Sequence, residues 1–175
     1  SNEFSLYKIL SELNSLNRQE VIKIIPLLCS IQDKKIINSI FKTWRPNTVY
    51  HAAAYKHVPI VEYNLAEGLK NNVFGTLTIA KAALKTEVEN FVFISTDKAV
   101  RPTNIMGASK RLGELCLQAL FANQEEKFTK FSMVRFGNVL DSSGSVIPKF
   151  RKQIKERTPI TLTHPDISRY FMTIE

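Results

Sequence analysis

Hydrophobic residues follow two different spacings along this chain, and the two spacings take turns. Short apolar runs rich in β-branched and aromatic residues predict strands, whereas apolar residues three or four apart predict helices with one buried face. The predicted strands span residues 21–31, 48–54, 90–94, 131–136 and 158–163. The predicted helices span residues 5–16, about 34–45 with Asp33 as the N-cap, 59–85 with a break near Asn64 or Gly68, 104–123, and 147–157.

Strands that alternate with helices of this length favour βαβ units with right-handed crossovers. The predicted fold class is therefore α/β, with a parallel sheet of the doubly wound type. The alternation stops after Gly137, and the chain ends in an apolar run at 170–175 without a terminating signal. We therefore expect one domain over 1–139 and the start of a second, incomplete region over 140–175.

The composition is that of a soluble globular protein, with 175 residues, of which 44% are hydrophobic and 23% are charged. No run approaches the roughly 18 apolar residues that a membrane span needs, and the first residues do not resemble a secretory signal. We expect a cytoplasmic domain.

Cys29 and Cys116 are predicted to be buried, reduced thiols. His51 and His57, six residues apart, do not match a metal-ligand spacing, so no metal is predicted.

The net charge of +8 suggests an acidic partner, such as phosphate, nucleic acid or a membrane surface. The basic residues are scattered, with one concentration between Lys149 and Arg157. Aromatic residues are not interleaved with that group, as a stacking platform for single-stranded nucleic acid would require. Two interpretations stay open, a solvated helix face and a contribution to holding a phosphorylated ligand.

The candidate site is the stretch from Ser95 to Lys110, which follows the predicted strand 90–94. An acid, Asp97, precedes a potential base, Lys98, where the strand ends. Met106 and Lys110 are four residues apart, so they lie on the same face of the following helix. Open α/β sheets bind their ligands at such places, beyond the carboxyl ends of strands.

A glycine-rich turn that would approach a dinucleotide is not visible in the sequence. Its six glycines include no G-x-G-x-x-G arrangement. Either the protein binds no dinucleotide, or the segment that does so precedes Ser1.

An ordered series of motifs decides between these options. The series comprises His51-Ala52-Ala53-Ala54, Asn71-Asn72-Val73-Phe74-Gly75-Thr76, Ser95-Thr96-Asp97-Lys98, Met106-x-x-x-Lys110, Arg135-Phe136-Gly137-Asn138 and the closing run from Thr163 to Thr173. In this order, the motifs resemble the extended short-chain dehydrogenase/reductase superfamily. Within it, the chain is similar to the polysaccharide-biosynthesis (CapD-like) nucleotide-sugar 4,6-dehydratases, which act on UDP-N-acetylglucosamine or a close relative.

This resemblance implies a Rossmann-like sheet that lacks its first βαβ unit, with NAD or NADP as the cofactor. The implied cofactor-binding residues are His51, Ala52, Ala53, Ala54, Asn72, Ser95, Lys110 and Phe136. The implied substrate-binding residues are Lys56, His57, Asn138, Ser145, Val146 and Arg169, with Arg169 as a bidentate diphosphate clamp. Ser30 stands where such enzymes often have an aspartate near the adenine. The resemblance also implies a UDP-sugar substrate, a homo-oligomer in the full-length protein, and a membrane tether upstream in long relatives.

The chemistry of these enzymes assigns catalytic roles to Thr96, Asp97, Lys98, Met106 and Lys110. Hydride leaves C4 of the sugar for NAD(P)⁺, water is lost across C5–C6, and hydride returns to C6. Most relatives have a tyrosine where Met106 stands, and a thioether has no proton to exchange. Lys110, Thr96 or a bound water must then take the C4 hydroxyl proton, and Lys110 ranks first. Asp97 and Lys98 fit the elimination if their pKa values are moved toward each other.

Three alternatives remain beside this interpretation. A nucleotide-sugar 4-epimerase shares the hydride step but needs no acid–base pair for elimination, so Asp97 and Lys98 favour the dehydratase. A nucleic-acid-binding module is supported only by the net charge. A third possibility is that the chain is inert without a pyrophosphate turn, in which case NAD(P)⁺ raises the melting temperature only of an extended form.

Overall fold

A parallel sheet forms the centre of the computed structural model, which describes residues 2–17, 21–126, 128–140, 146–162, 166, 168 and 170–173. Three strands, β1 (Thr48–His51), β2 (Asn90–Thr96) and β3 (Lys130–Phe136), pair in the order β1-β2-β3. Both pairings are parallel, with Val49 opposite Phe91 and Thr96 opposite Phe136. The predicted α/β class with a parallel sheet is confirmed.

Helical segments connect the strands and pack on the sheet. Between β1 and β2 lie α3 (Val58–Tyr63), α4 (Leu65–Leu69), a π-helical segment (Lys70–Gly75) and α5 (Thr76–Lys85). Between β2 and β3 lies α6 (Ile105–Ala122). Each strand lies beside the next strand in sequence, as in one half of a doubly wound sheet. The predicted helix break near Asn64 is confirmed, since α3 ends there and α4 begins.

The core lies between one face of β2 and the helices that cover it. Every second residue of β2 faces this side, and Phe91 and Phe93 are fully buried there. The cluster around them is drawn from α2 (Lys34–Trp44), α5, α6 and the turn before β2, and comprises Ile37, Phe41, Ile79, Ala80, Ala82, Ala83, Val88 and Leu117. On the opposite face of the sheet, Tyr50 and Val134 are exposed.

Capping residues lie at the starts of the two amino-terminal helices, and one of them, Asp33, was predicted. Asn2 accepts a hydrogen bond from the Ser5 backbone N–H at the start of α1 (Glu3–Leu16). Asp33 accepts from the N–H groups of Lys35 and Ile36 at the start of α2. None of the α1 side chains is buried, whereas α2 buries two residues in the core.

Two strand predictions are wrong, because an apolar run becomes a strand only where another strand accepts and donates its backbone hydrogen bonds. Residues 21–31 form no strand, and Pro26 has no N–H to donate. Cys29 and Ile31 in this segment nevertheless pack against the core. Residues 158–162 are also irregular. Their polar groups bond to the Gln153 side chain, which donates to the Pro159 carbonyl and the Thr161 hydroxyl.

Two further predictions need smaller adjustments. The strand expected over 48–54 ends at His51, so Ala52, Ala53 and Ala54 lie in the following loop. Both cysteines are free thiols, as predicted, but they are half-buried rather than buried. Among the described residues, no helix is both long enough and apolar enough to cross a membrane.

The described residues after β3 include a helix and a second, small sheet. Strand β4 (Asn138–Val139) pairs in parallel with β5 (Phe171–Met172), and α7 (Val146–Lys155) lies between them in sequence. The helix was predicted, whereas two-residue strands are too short to leave a periodic pattern. The boundary between 139 and 140 stays a prediction.

We expect Leu117→Ala to lower the free energy of unfolding by about 2–5 kcal/mol, because the Leu117 side chain is fully buried against β2. Leu112→Ala on the same helix is the matched control. Leu112 is 44% exposed, so its truncation should cost less than about 1 kcal/mol. Urea unfolding of the two variants checks the difference, and equal losses would contradict this account of the core.

Candidate active site

The carboxyl ends of the three parallel strands meet at one edge of the sheet. Ala52 follows β1, Asp97 and Lys98 follow β2, and Gly137 follows β3. The predicted stretch from Ser95 to Lys110 therefore begins at the central strand and ends in α6. Ligands of open α/β sheets bind at this kind of edge.

The turn after β2 holds an acid and a base in direct contact. Thr96 caps a short 3₁₀ turn (Asp97–Ala99), because its hydroxyl accepts from the Lys98 N–H and donates to Asp97 Oδ1. Asp97 Oδ1 also accepts from the Lys98 N–H at 2.8 Å and from Lys98 Nζ at 3.0 Å. The two side chains form an ion pair that is partly open to solvent.

The electrostatics of Asp97 differ from the expectation. Its partial burial raises the pKa, but hydrogen bonds from Lys98 and Thr96, together with the Lys98 charge, outweigh burial and hold the pKa below its usual value. The expected upward movement of the Asp97 pKa is therefore wrong for this structure. At neutral pH the Asp97 carboxylate is ionised and accepts hydrogen bonds.

Asn138 links this turn to the last strand. Its Oδ1 accepts from Lys98 Nζ at 3.4 Å, and its Nδ2 donates to the Tyr170 carbonyl at 3.4 Å. Gly137 lies close to both neighbours, and a Cβ there would make ordinary van der Waals contacts, 3.5 Å from the Tyr170 carbonyl oxygen and 3.7 Å from Asp97 Oδ2. The predicted contact of Asn138 with a sugar diphosphate stays a prediction.

The amino-terminal end of α6 lies directly against the Asp97–Lys98 turn. Asn104 caps the helix by accepting from the Gly107 N–H at 2.8 Å, and Glu62 of α3 accepts from the Ile105 N–H at 2.6 Å. A Cβ on Gly107 would lie 2.2 Å from the Lys98 carbonyl oxygen, so only glycine permits this approach. Met106, at the start of the helix, is buried.

Lys110 is a buried amine beside an aromatic ring. It is 6% exposed, and its Nζ lies 4.1 Å from the centroid of the Phe93 ring. Within the described residues, Lys110 forms no ion pair. Burial lowers its pKa to about 8, although the nearby charge of Glu114 acts in the opposite direction. A fraction of this amine is therefore neutral near pH 7–8 and can accept a proton.

The His51 ring packs against Phe93, the same aromatic residue that lies beside Lys110. The imidazole ring is buried, its centroid lies 5.6 Å from that of Phe93, and its Nε2 lies 2.8 Å from the Thr76 hydroxyl oxygen. The Thr76 hydroxyl donates to the Asn72 carbonyl, so Nε2 must be the donor in the bond to Thr76. Burial, and secondarily the Lys110 charge, lower the pKa of His51 to about 4. The predicted cofactor contact at His51 stays a prediction, since the ring itself packs in the core.

Asn72 clamps the loop after β1 to α6. It is 1% exposed and lies in the π-helical segment, a form of helix that is frequent at functional sites. Its Oδ1 accepts from the Tyr55 N–H at 2.8 Å, and its Nδ2 donates to the Tyr55 carbonyl at 3.0 Å and to the Ser109 hydroxyl at 3.0 Å. The carbonyl that Asn72 orients is thus one of the protein's own.

The other predicted residues lie around this edge or outside the described residues. Ala52, Ala53, Lys56 and His57 are exposed on the clamped loop, Ala54 is half-buried there, and Val146 is exposed at the start of α7. Phe136 is half-buried at the end of β3, and Ser95 is buried in β2. Ser145 and Arg169 lie outside the described residues.

An open depression of about 260 Å³ beside the loop is lined by Tyr55, Ile60, Val61, Asn64, Glu67 and Gly68.

The sequence analysis missed Glu114, which is fully buried in α6. Its carboxylate accepts from the Ser95 hydroxyl at 2.6 Å, from Arg135 at 2.8 and 2.5 Å, and from Arg111 at 3.0 Å. Burial raises its pKa, but the hydrogen bonds from Arg135, Ser95 and Arg111 outweigh burial and hold the pKa at about 2. A signal was available, because Glu114 falls four residues after Lys110, on the helix face that Met106 and Lys110 share.

Comparison with known proteins identifies the family. The family described as polysaccharide biosynthesis protein matches the chain over residues 1–175. The chain belongs to the polysaccharide biosynthesis protein family. The CapD-like resemblance, which rests on the ordered motifs, is thereby confirmed.

Relatives of this polysaccharide biosynthesis chain include enzymes and proteins of surface-polymer synthesis. The capsular polysaccharide biosynthesis protein CapD of Staphylococcus aureus is 48% identical over 172 residues, which cover 98% of this chain and 28% of CapD. The UDP-glucose 4-epimerase of Rickettsia canadensis is 42% identical over 126 residues, covering 72% of this chain and 37% of the epimerase.

A solved structure matches most of the described fold. The X-ray structure of Pen from Bacillus thuringiensis has a TM-score of 0.86 and 38% identity, covering 94% of this chain and 51% of that chain. The polysaccharide biosynthesis chain thus spans from about a quarter to about half the length of the relatives it matches.

We expect Gly107→Ala to lower the free energy of unfolding by about 1–3 kcal/mol, since the new methyl group meets the Lys98 carbonyl oxygen. Without that clash, Gly→Ala inside a helix would stabilise by up to about 1 kcal/mol. Ala108→Gly at the exposed neighbouring position is the control, with a cost of about 1 kcal/mol from helix propensity alone. Urea unfolding gives both values, and a stabilised Gly107→Ala variant would contradict the close approach.

We expect stability to fall as the pH drops from 6.5 toward about 4, because the unfolded chain protonates His51 near 6.5 and the folded chain only near 4. The loss approaches about 1.4 kcal/mol per pH unit within this window. His51→Gln keeps an N–H donor for Thr76 but does not titrate. The unfolding free energies of wild type and His51→Gln, compared between pH 6.5 and 4.5, should converge; parallel curves would contradict a neutral buried His51.

Proposed function

We propose that the protein containing this chain is an NAD(P)-dependent nucleotide-sugar 4,6-dehydratase that acts on UDP-N-acetylglucosamine or a close relative. The observation that carries this proposal is the Asp97–Lys98 ion pair at the end of β2, adjacent to the helix that bears the buried Lys110. Membership of a polysaccharide biosynthesis family supports it, since such a product would serve the synthesis of a surface polysaccharide.

The cofactor assignment rests on the chemistry of the groups at the sheet edge. Lys110 is a buried cation without an ion-pair partner among the described residues, and such a group suits the hydroxyls of a ribose. Bound at this edge, NAD(P)⁺ would supply the hydride acceptor for C4 of the sugar and, once reduced, the hydride donor for C6. The residues assigned to holding the cofactor are His51, Ala52, Ala53, Ala54, Asn72, Ser95, Lys110 and Phe136.

Lys110 is the best base for the C4 hydroxyl. Its pKa of about 8 leaves part of the amine neutral at physiological pH, as a general base requires. Thr96 is less suitable, because its hydroxyl already donates to Asp97 and accepts from Lys98. Met106 fills the tyrosine position with a buried thioether that exchanges no proton.

The ion pair supplies what the elimination of water needs. One proton must leave C5, which the C4 ketone acidifies, and one proton must reach the departing C6 oxygen. In the ionised pair the Asp97 carboxylate is the proton acceptor and the Lys98 ammonium is the proton donor, 3.0 Å apart, so this assignment does not require pKa values moved toward each other. The lowered pKa of Asp97 keeps the pair in this charged form until substrate displaces their mutual hydrogen bond.

The remaining substrate contacts are assigned to the residues that surround the edge, namely Lys56, His57, Asn138, Ser145, Val146 and Arg169. The basic side chains of α7 fit a phosphorylated ligand better than nucleic acid, because the helix is short and its aromatic residues are few. A homo-oligomer, an upstream membrane tether and a cytoplasmic location stay predictions for the whole protein.

A 4-epimerase is the second candidate, and one finding favours it. The epimerase of Rickettsia canadensis is 42% identical over the part of the chain it covers. Epimerisation uses hydride removal and return at C4 but no acid–base pair at C5 and C6, so the Asp97–Lys98 pair favours the dehydratase.

The test uses the full protein in which this chain occurs, incubated with UDP-N-acetylglucosamine and NAD⁺ or NADP⁺ in deuterated water. We expect a 4-keto product lighter by one water and labelled at C5, detected by mass spectrometry and NMR. Asp97→Asn should lower kcat by roughly 10²–10⁴-fold, since it removes one partner of the acid–base pair. Glu67→Gln, which breaks an exposed ion pair with Lys70, is the matched control and should keep full activity. An unlabelled C4 epimer of unchanged mass would replace the dehydratase with the epimerase.

A further inference from the structure

A buried carboxylate joins three elements beneath the candidate active site. Glu114 is fully buried, and its two oxygens accept hydrogen bonds from Ser95 in β2, from Arg135 in β3 and from Arg111 in its own helix. Arg135 contributes two of these bonds as a fork, the geometry that orients a carboxylate most strongly. Ser95 and Arg135 lie opposite each other in the sheet register, so the carboxylate spans the β2–β3 junction.

Two of the hydrogen-bond partners of Glu114 directly precede predicted site residues in sequence. Ser95 is followed directly by Thr96, Asp97 and Lys98, and Arg135 is followed by the segment that leads to Asn138. Lys110 precedes Glu114 by four residues, so the two side chains lie one turn apart on the same face of α6. The hydrogen bonds that fix Glu114 therefore also fix the position of Lys110 relative to the carboxyl ends of the strands.

We propose that Glu114 is a positioning residue of the active site, whose carboxylate ties α6 to the carboxyl ends of β2 and β3 and thereby sets the place and the charge environment of Lys110. This inference rests on the proposed function for its catalytic consequence. Among the described residues, the hydrogen-bond partners of Glu114 are Ser95, Arg111 and Arg135, of which only Ser95 is a predicted cofactor contact.

The role needs a charge and not only a buried side chain. Two guanidinium groups and a hydroxyl converge on the carboxylate, and a neutral residue would leave Arg135 without its counter-charge. The same charge acts on Lys110, where it raises the pKa against the effect of burial. Of the ionisable groups that face this amine, Glu114 comes from α6 and His51 comes from β1; the latter is neutral at pH 7.

The other elements packed against α6 also contribute ionisable groups. They are Glu62 and Tyr63 of α3, Glu67 of α4, Lys70 of the π-helical segment, Lys81 and Lys85 of α5, Asp97 and Lys98 of the 3₁₀ turn, and Lys130 and Arg135 of β3. Glu62 bonds to the Ile105 N–H, Glu67 pairs with Lys70, and Asp97 pairs with Lys98. Glu114 is therefore the carboxylate whose removal should change Lys110 most.

The experiment compares wild type with Glu114→Gln, Glu114→Asp and the control Glu67→Gln in the full protein. With UDP-N-acetylglucosamine as substrate, Glu114→Gln should lower kcat by roughly ten- to a hundredfold, because Lys110 is displaced, and leave KM within about threefold. The limb of the pH–kcat profile that reports Lys110, near pH 8 in wild type, should move to lower pH. Glu114→Asp keeps the charge, so it should retain the wild-type limb with a smaller loss of kcat.

A second readout does not depend on turnover. The Lys110 side-chain nitrogen can be followed by NMR in protein labelled with ¹⁵N-lysine and assigned by its loss in Lys110→Arg. We expect its titration midpoint, about 8 in wild type, to be lower in Glu114→Gln and unchanged in Glu67→Gln. Should Glu114→Gln fail to fold, Glu114→Asp provides the test, since a merely structural role predicts no difference in kcat once stability is matched by temperature.

The outcomes separate the two proposals. If the wild type has no dehydratase activity, the proposed function is wrong. A lowered Lys110 titration midpoint in Glu114→Gln would still support the charge role of Glu114. An active wild type with unchanged kcat, pH profile and Lys110 midpoint in Glu114→Gln overturns the positioning role and keeps the proposed function.

Discussion

The alternation of side chains along β2 is the constraint on which the rest of this structure depends. Every second residue faces α6, so Phe91 and Phe93 form the floor of the core and Ser95 continues the same face at the strand end. Phe93 therefore lies beneath Lys110, and Ser95 lies beneath Glu114. A shift of β2 by one residue would turn this whole face to the other side of the sheet. One register thus positions both the core and the site.

Glu114 and Lys110 are two buried ionisable residues on one helix face, and their neighbouring groups give them different roles. Glu114 receives hydrogen bonds from three side chains and stays ionised down to a pKa of about 2. Lys110, one turn away, has an aromatic ring beside it and no ion pair among the described residues, so burial lowers its pKa to about 8. The paired group is suited to holding structure, whereas the unpaired group is suited to moving a proton.

Contacts with α6 and the π-helical segment position the loops that surround these charged residues. Gly107 permits α6 to approach the Lys98 carbonyl, and Asn72 holds both backbone groups of Tyr55 in the loop after β1. The π-helical segment turns Asn72 inward, so that it bonds to the Ser109 hydroxyl on α6 as well. The loops after β1 and β2 are therefore held against α6 by these specific contacts.

Local features of the chain were determined by the sequence itself. Apolar spacing predicts α2 and α6, with Asp33 as the N-cap of α2, and the ordered motifs predict the family. These features depend on residues a few positions apart, so they are legible in a linear sequence. The position of Asp97, Lys98 and Lys110 at one sheet edge follows from the same strand–helix order.

Only the tertiary structure decided which partners those residues have. The run at 21–31 has strand-like composition but no strand to pair with, and β4 and β5 are paired although their composition gives no sign of it. The Asp97 pKa moves down because Lys98 and Thr96 bond to it, and Glu114 is ionised in the interior because Arg135 reaches it from 21 residues away. Pairing and electrostatics depend on distances in space, and residues far apart in sequence set those distances.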